Sequence, residues 1–427
     1  MTTGNDNRPT TEADWTQLRR RANEELSRRL PSARLLRRDI HAHPEVGGDE
    51  QGTALRVLDL LGESDPVRIK GGFLVWAGGG QQGPAVALRS ELDALPIQED
   101  SNEPWRSTVP GVAHLCGHDV HTAALVAVLG TVQAIGTPVP LIGAFQPREE
   151  VYPSGAKDFV SSPALAGKDI RAMIGVHLQP MIAAGTFSAV AGPINAASDN
   201  FDLRICGVPS HAAYPHRGRD PIVAAAAVIQ ALQHVVSRRV DPMSPSVVSV
   251  GRVIGGDSHN AIPEEVLLQG TVRTFSEDDR RLVTAAIAQV AEGVAAAHGC
   301  TANCRFEWGE PVLENDHRLA HLVTRALEDH GLAEADPVRS CGADDFAWYG
   351  SLFPSLMIFA GIGEATSQTP GLHHPRFVPA DDAVDTVATI MLVAYLSAAQ
   401  SLTSTTEATH PPHRESRSST PNRPQPV

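Results

Sequence analysis

The sequence predicts an α/β protein, with a catalytic domain built on a mostly parallel central sheet with flanking helices. This domain is predicted to be interrupted by an inserted α+β lid or dimerisation domain. Three observations support this. Short apolar strands alternate with helices before residue 195 and again after residue 310, as in layered α/β domains. The stretch between them has a strand–helix–strand–strand–helix order of its own. The length of 427 residues corresponds to two or three domains.

The elements follow from periodicity and from turn residues. Apolar residues recur at three- and four-residue spacing between Trp15 and Ile40, which predicts a helix. The Gly-rich segment within FLVWAGGGQQGPAVALRSELD separates two short strands. Further strands are predicted over 140–146, 172–178, 200–207, 246–256, 264–275 and 355–363, and further helices over 119–135, 220–239, 277–299, 316–330 and 381–400.

These elements divide the chain into two parts of a catalytic domain, 14–195 and 310–401, around an inserted lid or dimerisation domain at 196–309. The ends, 1–13 and 402–427, are rich in Pro, Ser and Thr and almost free of apolar residues, so we expect them to be disordered. Polar groups that follow parallel strands should collect at one edge of the sheet.

Composition excludes several classes of function. A net charge of −14 disfavours nucleic acid and anionic lipid as partners. No uninterrupted apolar stretch approaches the ~18 residues of a membrane span, and the first residues lack a signal-peptide core, so we expect a cytoplasmic protein. Five scattered cysteines predict reduced thiols rather than a disulfide framework.

The segment CGHDVHTAA places Cys116, His118, Asp119 and His121 at the start of a helix. The helix dipole there favours a thiolate, which can be either a metal ligand or a nucleophile. Glu149 and Glu150 follow the strand PLIGAFQ, in the segment FQPREE. Two adjacent carboxylates repel each other unless a cation or a proton compensates, so a metal ligand beside a general base is one interpretation.

Histidines complete this candidate cluster. His177 ends the next strand in GVHLQP, and His373 and His374 lie in LHHPRF before the last helix. Together with Cys116, His118 and Glu150, such histidines form the mixed nitrogen, oxygen and sulfur donor set typical of zinc or manganese sites.

Ten ordered blocks between Arg37 and Val393 resemble the aminoacylase and carboxypeptidase-like metallohydrolases, in the branch of hippurate hydrolases and auxin-conjugate amidohydrolases. The blocks are RRDIHAHPEVGGDE, RSELDALPIQED, AHLCGHDVHTAAL, FQPREE, GVHLQP, SHAAYPHRGRDPI, HNAIPEEV, GTVRTF, GADDFAWY and LHHPRF. The resemblance implies a metal-dependent amidohydrolase that cleaves N-acyl amino acids with the help of two divalent metal ions, Mn, Zn or Co.

Carried over position by position, the resemblance implies a role for each matching residue. Glu149 becomes the general base, which accepts a proton from water and returns it to the leaving amine. The implied metal ligands are Cys116, His118, Glu150, His177 and His373.

Three residues of the inserted domain match substrate-binding positions of the family. His211 is expected to donate to the developing oxyanion, and Asn260 and Arg273 to hold a substrate carboxylate. In some relatives such groups reach across a dimer, so the resemblance also implies a homodimer formed through the lid domain.

Two departures from the family pattern stand out. Glu91 replaces the usual aspartate in RSELDALP, although Asp93 is retained and is expected to orient a metal-bound histidine. His374 stands where a small polar residue is common, and we favour His373 because it directly follows Leu372.

Three alternatives remain open. A metallo-carboxypeptidase or dipeptidase of the same family would use the same centre. A cysteine hydrolase would use Cys116 as nucleophile, activated by His118 or His121 and oriented by Asp119. A non-catalytic binding protein would retain the fold alone.

Overall fold

The computed structural model describes residues 11–63, 65–80, 83–363 and 370–404. Its helices, in chain order α1–α9, are Glu12–Ala42, Gln51–Leu61, His118–Ile135, Gly155–Ser161, Pro163–Ala166, Pro221–Arg239, Glu277–Ala297, His317–Asp329 and Ala383–Ser404. Two 3-10 helices span Pro215–Arg217 and Asp345–Ser351.

Sixteen strands are present among the described residues. In chain order, β1–β16 are Val67–Ile69, Gly72–Ala77, Ala85–Glu91, Leu141–Gln146, Ile170–Ala183, Thr186–Ser188, Gly192–Asn195, Ala197–Cys206, Ser210–His211, Ser246–Gly255, Ala261–Ile262, Glu265–Thr274, Thr301–Trp308, Leu313–Asn315, Ala333–Glu334 and Ser355–Gly363. Strands β3 and β4 are parallel neighbours that end side by side. Residues of the blocks RSELDALPIQED and FQPREE therefore meet at one edge of the sheet.

The large sheet has eight strands in the order β1-β2-β4-β3-β5-β16-β6-β15. Its centre is parallel, since β3 pairs with both β4 and β5, and β5 pairs with β16. Helices α1, α3 and α9 cover one face with an apolar core that includes Ile40, Leu125 and Tyr395. The other face packs against Phe159, Phe346 and neighbouring residues. The predicted α/β fold with a mainly parallel sheet is confirmed.

A second sheet has four antiparallel strands in the order β10-β12-β8-β13, covered by α6 and α7. All four strands lie between Ala197 and Trp308, inside the stretch 196–309 predicted for the inserted domain. The division of the chain at those residues stays a proposal.

Of the two ends predicted to be disordered, the structure describes only residues 11–13 and 402–404, and helices α1 and α9 extend into them. Helix α1 begins at Glu12 because Thr11 and Asp14 form a reciprocal capping box. Helix α9 continues to Ser404, and its last turns are secured by hydroxyl-to-carbonyl bonds such as Ser404 to Gln400. The remaining residues of the two predicted ends, 1–10 and 405–427, lie outside the described residues.

Helix α9 is long and apolar enough to span a membrane, with a mean hydropathy of 1.4 over 18 residues. However, 67% of that window is buried inside the protein. Its residues Val384, Met391 and Leu392 pack in the core beneath the large sheet, so the apolar composition is accounted for by the core.

Candidate metal centre

The candidate site lies at the edge of the large sheet where the parallel strands β3 and β4 end. Asp93 follows β3, and Glu149 and Glu150 follow β4 after an abrupt turn at Arg148, whose φ is +55°. His177 lies inside β5, which continues to Ala183 and does not stop at this histidine as the sequence suggested. The β3–β5 pairing ends at Gly175, so His177 nevertheless lies just beyond this ladder.

The loop before α3 places Cys116 and His118 beside these strand ends. Gly117 separates them with a φ of +91°, which a side chain rarely adopts. A Cβ atom at Gly117 would stand 2.7 Å from Leu178 Cδ1 of the neighbouring strand. The close approach of this loop to β5 therefore requires glycine, and it brings Cys116 Sγ to 3.5 Å from His177 Nε2.

Hydrogen bonds select the tautomers of two histidines. His118 Nδ1 lies 2.8 Å from the carbonyl oxygen of Asp93, and His177 Nδ1 lies 2.8 Å from the carbonyl oxygen of Leu178. Because a carbonyl only accepts, each Nδ1 carries a proton, and Nε2 is the ring nitrogen that faces the cluster. Despite burial, the bond to Asp93 and nearby carboxylates raise the pKa of His118 to about 10, so a bound cation would replace the Nε2 proton of this residue. Buried His118 Nε2 has no hydrogen-bond partner in the described part of the chain, so it is a free donor atom for a cation.

His121 is fully engaged and offers no such atom. Its Nδ1 lies 2.9 Å from the Glu91 carboxylate, and its Nε2 accepts from the backbone N–H of Leu178 at 3.0 Å. Glu91, the residue that departs from the family pattern, thus orients a histidine that supports the strand beneath the site. We infer a structural role for His121.

Asp119 points away from the thiol. Its carboxylate is bound by Arg37 Nε at 2.7 Å and by His41 Nδ1 at 2.9 Å, and all three side chains are buried. The arrangement proposed for a cysteine nucleophile, with Asp119 orienting a histidine next to Cys116, is therefore wrong. Asp119, on α3, instead links that helix to α1 through its contacts with Arg37 and His41.

Glu149 and Glu150 face different partners. Glu150 is held by its backbone N–H, which donates to Asp93 Oδ2 at 2.9 Å, and its Oε1 lies 3.1 Å from His373 Nε2. Glu149 Oε2 lies 3.8 Å from His118 Nε2. Asp93 thus contacts His118 and the Glu150 backbone together, which fixes two walls of the site relative to each other.

His373 joins the cluster, whereas His374 does not. The backbone of His373 has a φ of +64°, and its N–H donates to the carbonyl of Leu115 at 2.8 Å. His374 is exposed, and its Nδ1 accepts from the backbone N–H of Arg376 at 3.1 Å. The geometry supports the choice of His373 over its neighbour.

Candidate ligand atoms converge in overlapping groups, each with atoms within 4.8 Å of one another. The groups are Cys116, His118 and His177; Cys116, Glu150 and His373; His118, Glu149 and Glu150; and Glu149, Asp344 and Asp345. The first three groups contain the five ligands predicted from the sequence together with Glu149. They share members, as the donors of two adjacent cations would.

Acidic groups are crowded in this cluster. Burial raises the pKa of the Cys116 thiol well above its usual range, and the nearby carboxylates of Glu150 and Glu149 add to the effect. Burial and Glu150 likewise raise the pKa of Glu149. The expected lowering of the Cys116 pKa by the helix start is wrong, because burial and carboxylates outweigh the dipole. A cation would reverse this balance and favour the thiolate.

A buried arginine stands beneath the cluster and was missed by the sequence reasoning. Arg89 is completely buried, contacts Glu91 and Asp345, and lies 3.6 Å from Asp344. Arg89 opens the block RSELDALPIQED and Asp345 lies in GADDFAWY, but neither residue had been given a role. Burial raises the pKa of Asp345 to about 8 despite the opposing charge of Arg89.

The cluster opens on a cavity of about 240 Å³. Cys116, Glu149, Glu150, His177 and His373 form part of its lining, and the rest is made by Gln179, Asn195, Ser340, Gly342, Ala343, Asp344, Phe359 and Leu372. Sequence reasoning had assigned no role to this second set, because its members come from segments that meet only in the fold.

The three predicted substrate-binding residues belong to the region of the second sheet and lie outside this cavity. His211 and Asn260 are neighbours, since the N–H of Ala212 donates to the Asn260 carbonyl at 3.0 Å, and both are exposed. Arg273 lies on β12, where its guanidinium donates to the carbonyl of Val272. None of the three lines the cavity beside Glu149.

Fold and site together define a metal-dependent amide hydrolase. The family model described as Peptidase family M20/M25/M40 matches residues 87–396, and this chain belongs to that family. The resemblance seen in the sequence blocks is confirmed.

Relatives and solved structures agree with this membership. The chain is 37% identical over 357 residues to an N-acetyl-L-cysteine deacetylase of Bacillus subtilis, covering 82% of this chain and 84% of the relative. It is 39% identical over 308 residues to an N-acyl-L-amino acid amidohydrolase of Geobacillus stearothermophilus, covering 69% and 82%. A solved dinuclear metal-binding peptidase of Bacillus subtilis superposes with a TM-score of 0.75 at 31% identity, covering 87% and 98%.

Proposed function

We propose that the protein hydrolyses the amide bond of N-acyl amino acids at a centre of two divalent cations. The observation that carries this proposal is the convergence of five donor residues beside Glu149, with Nε2 of His118 and His177 directed into the cluster because each Nδ1 binds a backbone carbonyl. The named activities of the Bacillus and Geobacillus relatives support this substrate class.

The donor set fits the cations. We assign Cys116, His118, Glu150, His177 and His373 as ligands, a mixture of thiolate, imidazole and carboxylate that suits Zn²⁺, Mn²⁺ or Co²⁺. The unpartnered His118 Nε2 and the crowded carboxylates are the features that a cation would satisfy. When bound, such cations polarise the scissile carbonyl and make a water molecule more acidic.

Glu149 is assigned as the general base. Its carboxylate lies beside His118 and within the cavity, and Glu150 rather than Glu149 is the member of the pair that contacts His373. Glu149 accepts the proton of the attacking water and then delivers it to the leaving nitrogen. Asp93 acts through His118 and the Glu150 backbone, so it is a positioning residue.

The substrate carboxylate is assigned to residues of the inserted domain. Arg273 and Asn260 would bind it, and His211 would donate to the developing oxyanion. Because these side chains do not line the cavity of their own chain, we propose that they complete the site of a partner in a homodimer.

Strand β10 is the surface through which we propose this dimer forms. It is an edge strand of the second sheet, and its residues Val253 and Ile254 are exposed. Long exposed apolar edges favour pairing with another chain. A Val253→Lys/Ile254→Lys variant should therefore elute as a monomer and lose activity, as measured by light scattering and turnover. A dimeric double variant would exclude this edge as the interface.

The cell compartment is inferred from the thiols. All five cysteines are free, including exposed Cys341. Unpaired, exposed thiols are typical of a reducing compartment, so we propose a cytoplasmic enzyme.

A metal analysis followed by a substrate panel tests the proposed function. Purified protein should contain close to two equivalents of Zn, Mn or Co, and a panel of N-acetyl, N-benzoyl and longer N-acyl amino acids should include substrates that are hydrolysed in a chelator-sensitive manner. A dipeptide series with free and blocked amino groups separates the dipeptidase alternative. Full turnover in a chelated protein with sub-stoichiometric metal would exclude the proposal.

A further inference from the structure

The lining of the cavity beside Glu149 is chemically mixed. Glu149 and four of the five proposed ligands form part of it. The rest includes the carboxylate of Asp344, the segment around Ser340, apolar Phe359 and Leu372, and two amide side chains, Gln179 and Asn195. Gln179 Oε1 accepts from the backbone N–H of Met181 at 3.1 Å, so that amide has a protein partner.

Asn195 has none. Its side chain is buried, with 8% of the residue exposed, and its Oδ1 has no hydrogen-bond partner. Among the described residues, its Nδ2 makes no hydrogen bond either. Asn315 provides the contrast, because its amide, which is also buried, donates to the carbonyls of Val190 and Met357. Buried amides are normally paired, so an unpaired one on a cavity wall indicates a group reserved for a ligand.

The backbone that carries this amide is held in a fixed place. The N–H of Ser340 donates to the Ile194 carbonyl at 2.9 Å, and the N–H of Ala196 donates to the Ser340 carbonyl at 3.1 Å. Asn195 is therefore clamped on both sides by the segment before Gly342. Because this backbone is already ordered, only side-chain rotation is lost when the amide binds a ligand.

The part of the substrate that enters the cavity follows from the proposed function, on which this inference rests. The carboxylate is assigned to Asn260 and Arg273, and neither lines the cavity. The acyl group is then the part that lies against Asn195. With about 240 Å³ the cavity is smaller than most ligand sites, which range from roughly 300 to 1,000 Å³, so the acyl group is short.

We propose that Asn195 is a specificity-determining residue that selects short acyl groups bearing a hydroxyl or amide. Such a group both donates and accepts, so it pairs with the amide in either of its two orientations. A hydrocarbon acyl group of the same size would leave the Asn195 amide unpaired in the enzyme–substrate complex.

The test compares N-glycolyl and N-propionyl derivatives of one amino acid, which differ by exchange of a hydroxyl for a methyl. Wild-type kcat/KM should favour the glycolyl substrate by about tenfold, which corresponds to about 1.4 kcal/mol. In Asn195→Leu this ratio should fall to about one or below. Asn200→Leu, an exposed position on β8, is the matched control and should keep the wild-type ratio.

Thermal unfolding and metal content establish that each variant is folded, and Asn195→Ser replaces the leucine variant if that one does not fold. A wild-type ratio near one, or a ratio that survives both Asn195 substitutions, overturns the assignment of Asn195 while leaving amide hydrolysis intact. Failure to hydrolyse any N-acyl amino acid overturns the proposed function and this inference with it.

Discussion

Replacing Glu149 by glutamine tests the proton-transfer step directly. Glutamine has nearly the same size, so the turn after β4 and the five proposed ligands remain, but its amide cannot accept the proton of water. General acid–base catalysis contributes about 10²- to 10⁴-fold, so kcat should fall by about 10³-fold, or about 4 kcal/mol of barrier. Removing one carboxylate from a crowded buried cluster should not destabilise the fold.

The assay measures kcat with an N-acyl amino acid, alongside metal content by elemental analysis. Glu150→Gln is the matched control on the same turn, because Glu150 contacts His373 and is assigned as a ligand. We expect that variant to lose metal, whereas Glu149→Gln keeps it. A Glu149→Gln enzyme with full metal and kcat within tenfold of wild type would refute the assignment of the base.

Three further perturbations address the supports of the site. The pKa of Glu99 is lowered to about 2, since bonds to a buried histidine and to a hydroxyl outweigh burial, so its stabilising contribution is complete above about pH 4.5 and declines toward pH 2. Urea unfolding should therefore show a Glu99→Gln penalty at pH 7 that shrinks at pH 3, whereas exposed Glu103→Gln shows none at either pH. Arg37→Leu should lower the free energy of unfolding by about 3–5 kcal/mol because it leaves the buried Asp119 carboxylate without its arginine, and Arg37→Leu/Asp119→Leu should recover much of this loss. Equal stability of the single variant and the wild type would contradict this expectation. Gly117→Ala should weaken metal binding by about 10-fold or more in calorimetric titration, because the added Cβ collides with the neighbouring strand, and unchanged affinity would show that the loop can shift.

The strong elements of the fold were predictable because their periodicity agrees with their burial. The strand over Ser355–Gly363 and the helix over Pro221–Arg239 match the sequence pattern closely. Strand β13, Thr301–Trp308, was missed because its residues are mostly exposed or half-buried at the sheet edge and give no apolar signal. Helix α2 was missed because it is short and lacks a side-chain cap at Glu50.

The candidate site was predictable for a different reason. Its ligand candidates fall within short sequence blocks at strand ends or at a helix start, so their types and order carry the information. The supports of the site were not predictable, because they depend on tertiary contacts. Arg89 meets Asp345 across 256 residues of sequence, and the free amide of Asn195 is visible only when its surroundings are known.

The same contacts decide between the two chemistries that the sequence left open for Cys116. A cysteine nucleophile needs a positive partner that keeps the thiolate at neutral pH. Here Glu149 and Glu150 surround a buried thiol and raise its pKa, and the nearest imidazole, His177, is itself held by burial at a pKa of about 3 and so is neutral. Despite burial, the bond to Asp93 and the nearby carboxylates raise the pKa of His118 to about 10, so this charged imidazole lies in the same cluster as the thiol. The pKa of the Cys116 thiol nevertheless stays well above its usual range, and a bound divalent cation would favour the thiolate. The arrangement that makes Cys116 a poor nucleophile is therefore the one that suits it to be a metal ligand, with the proton chemistry left to Glu149.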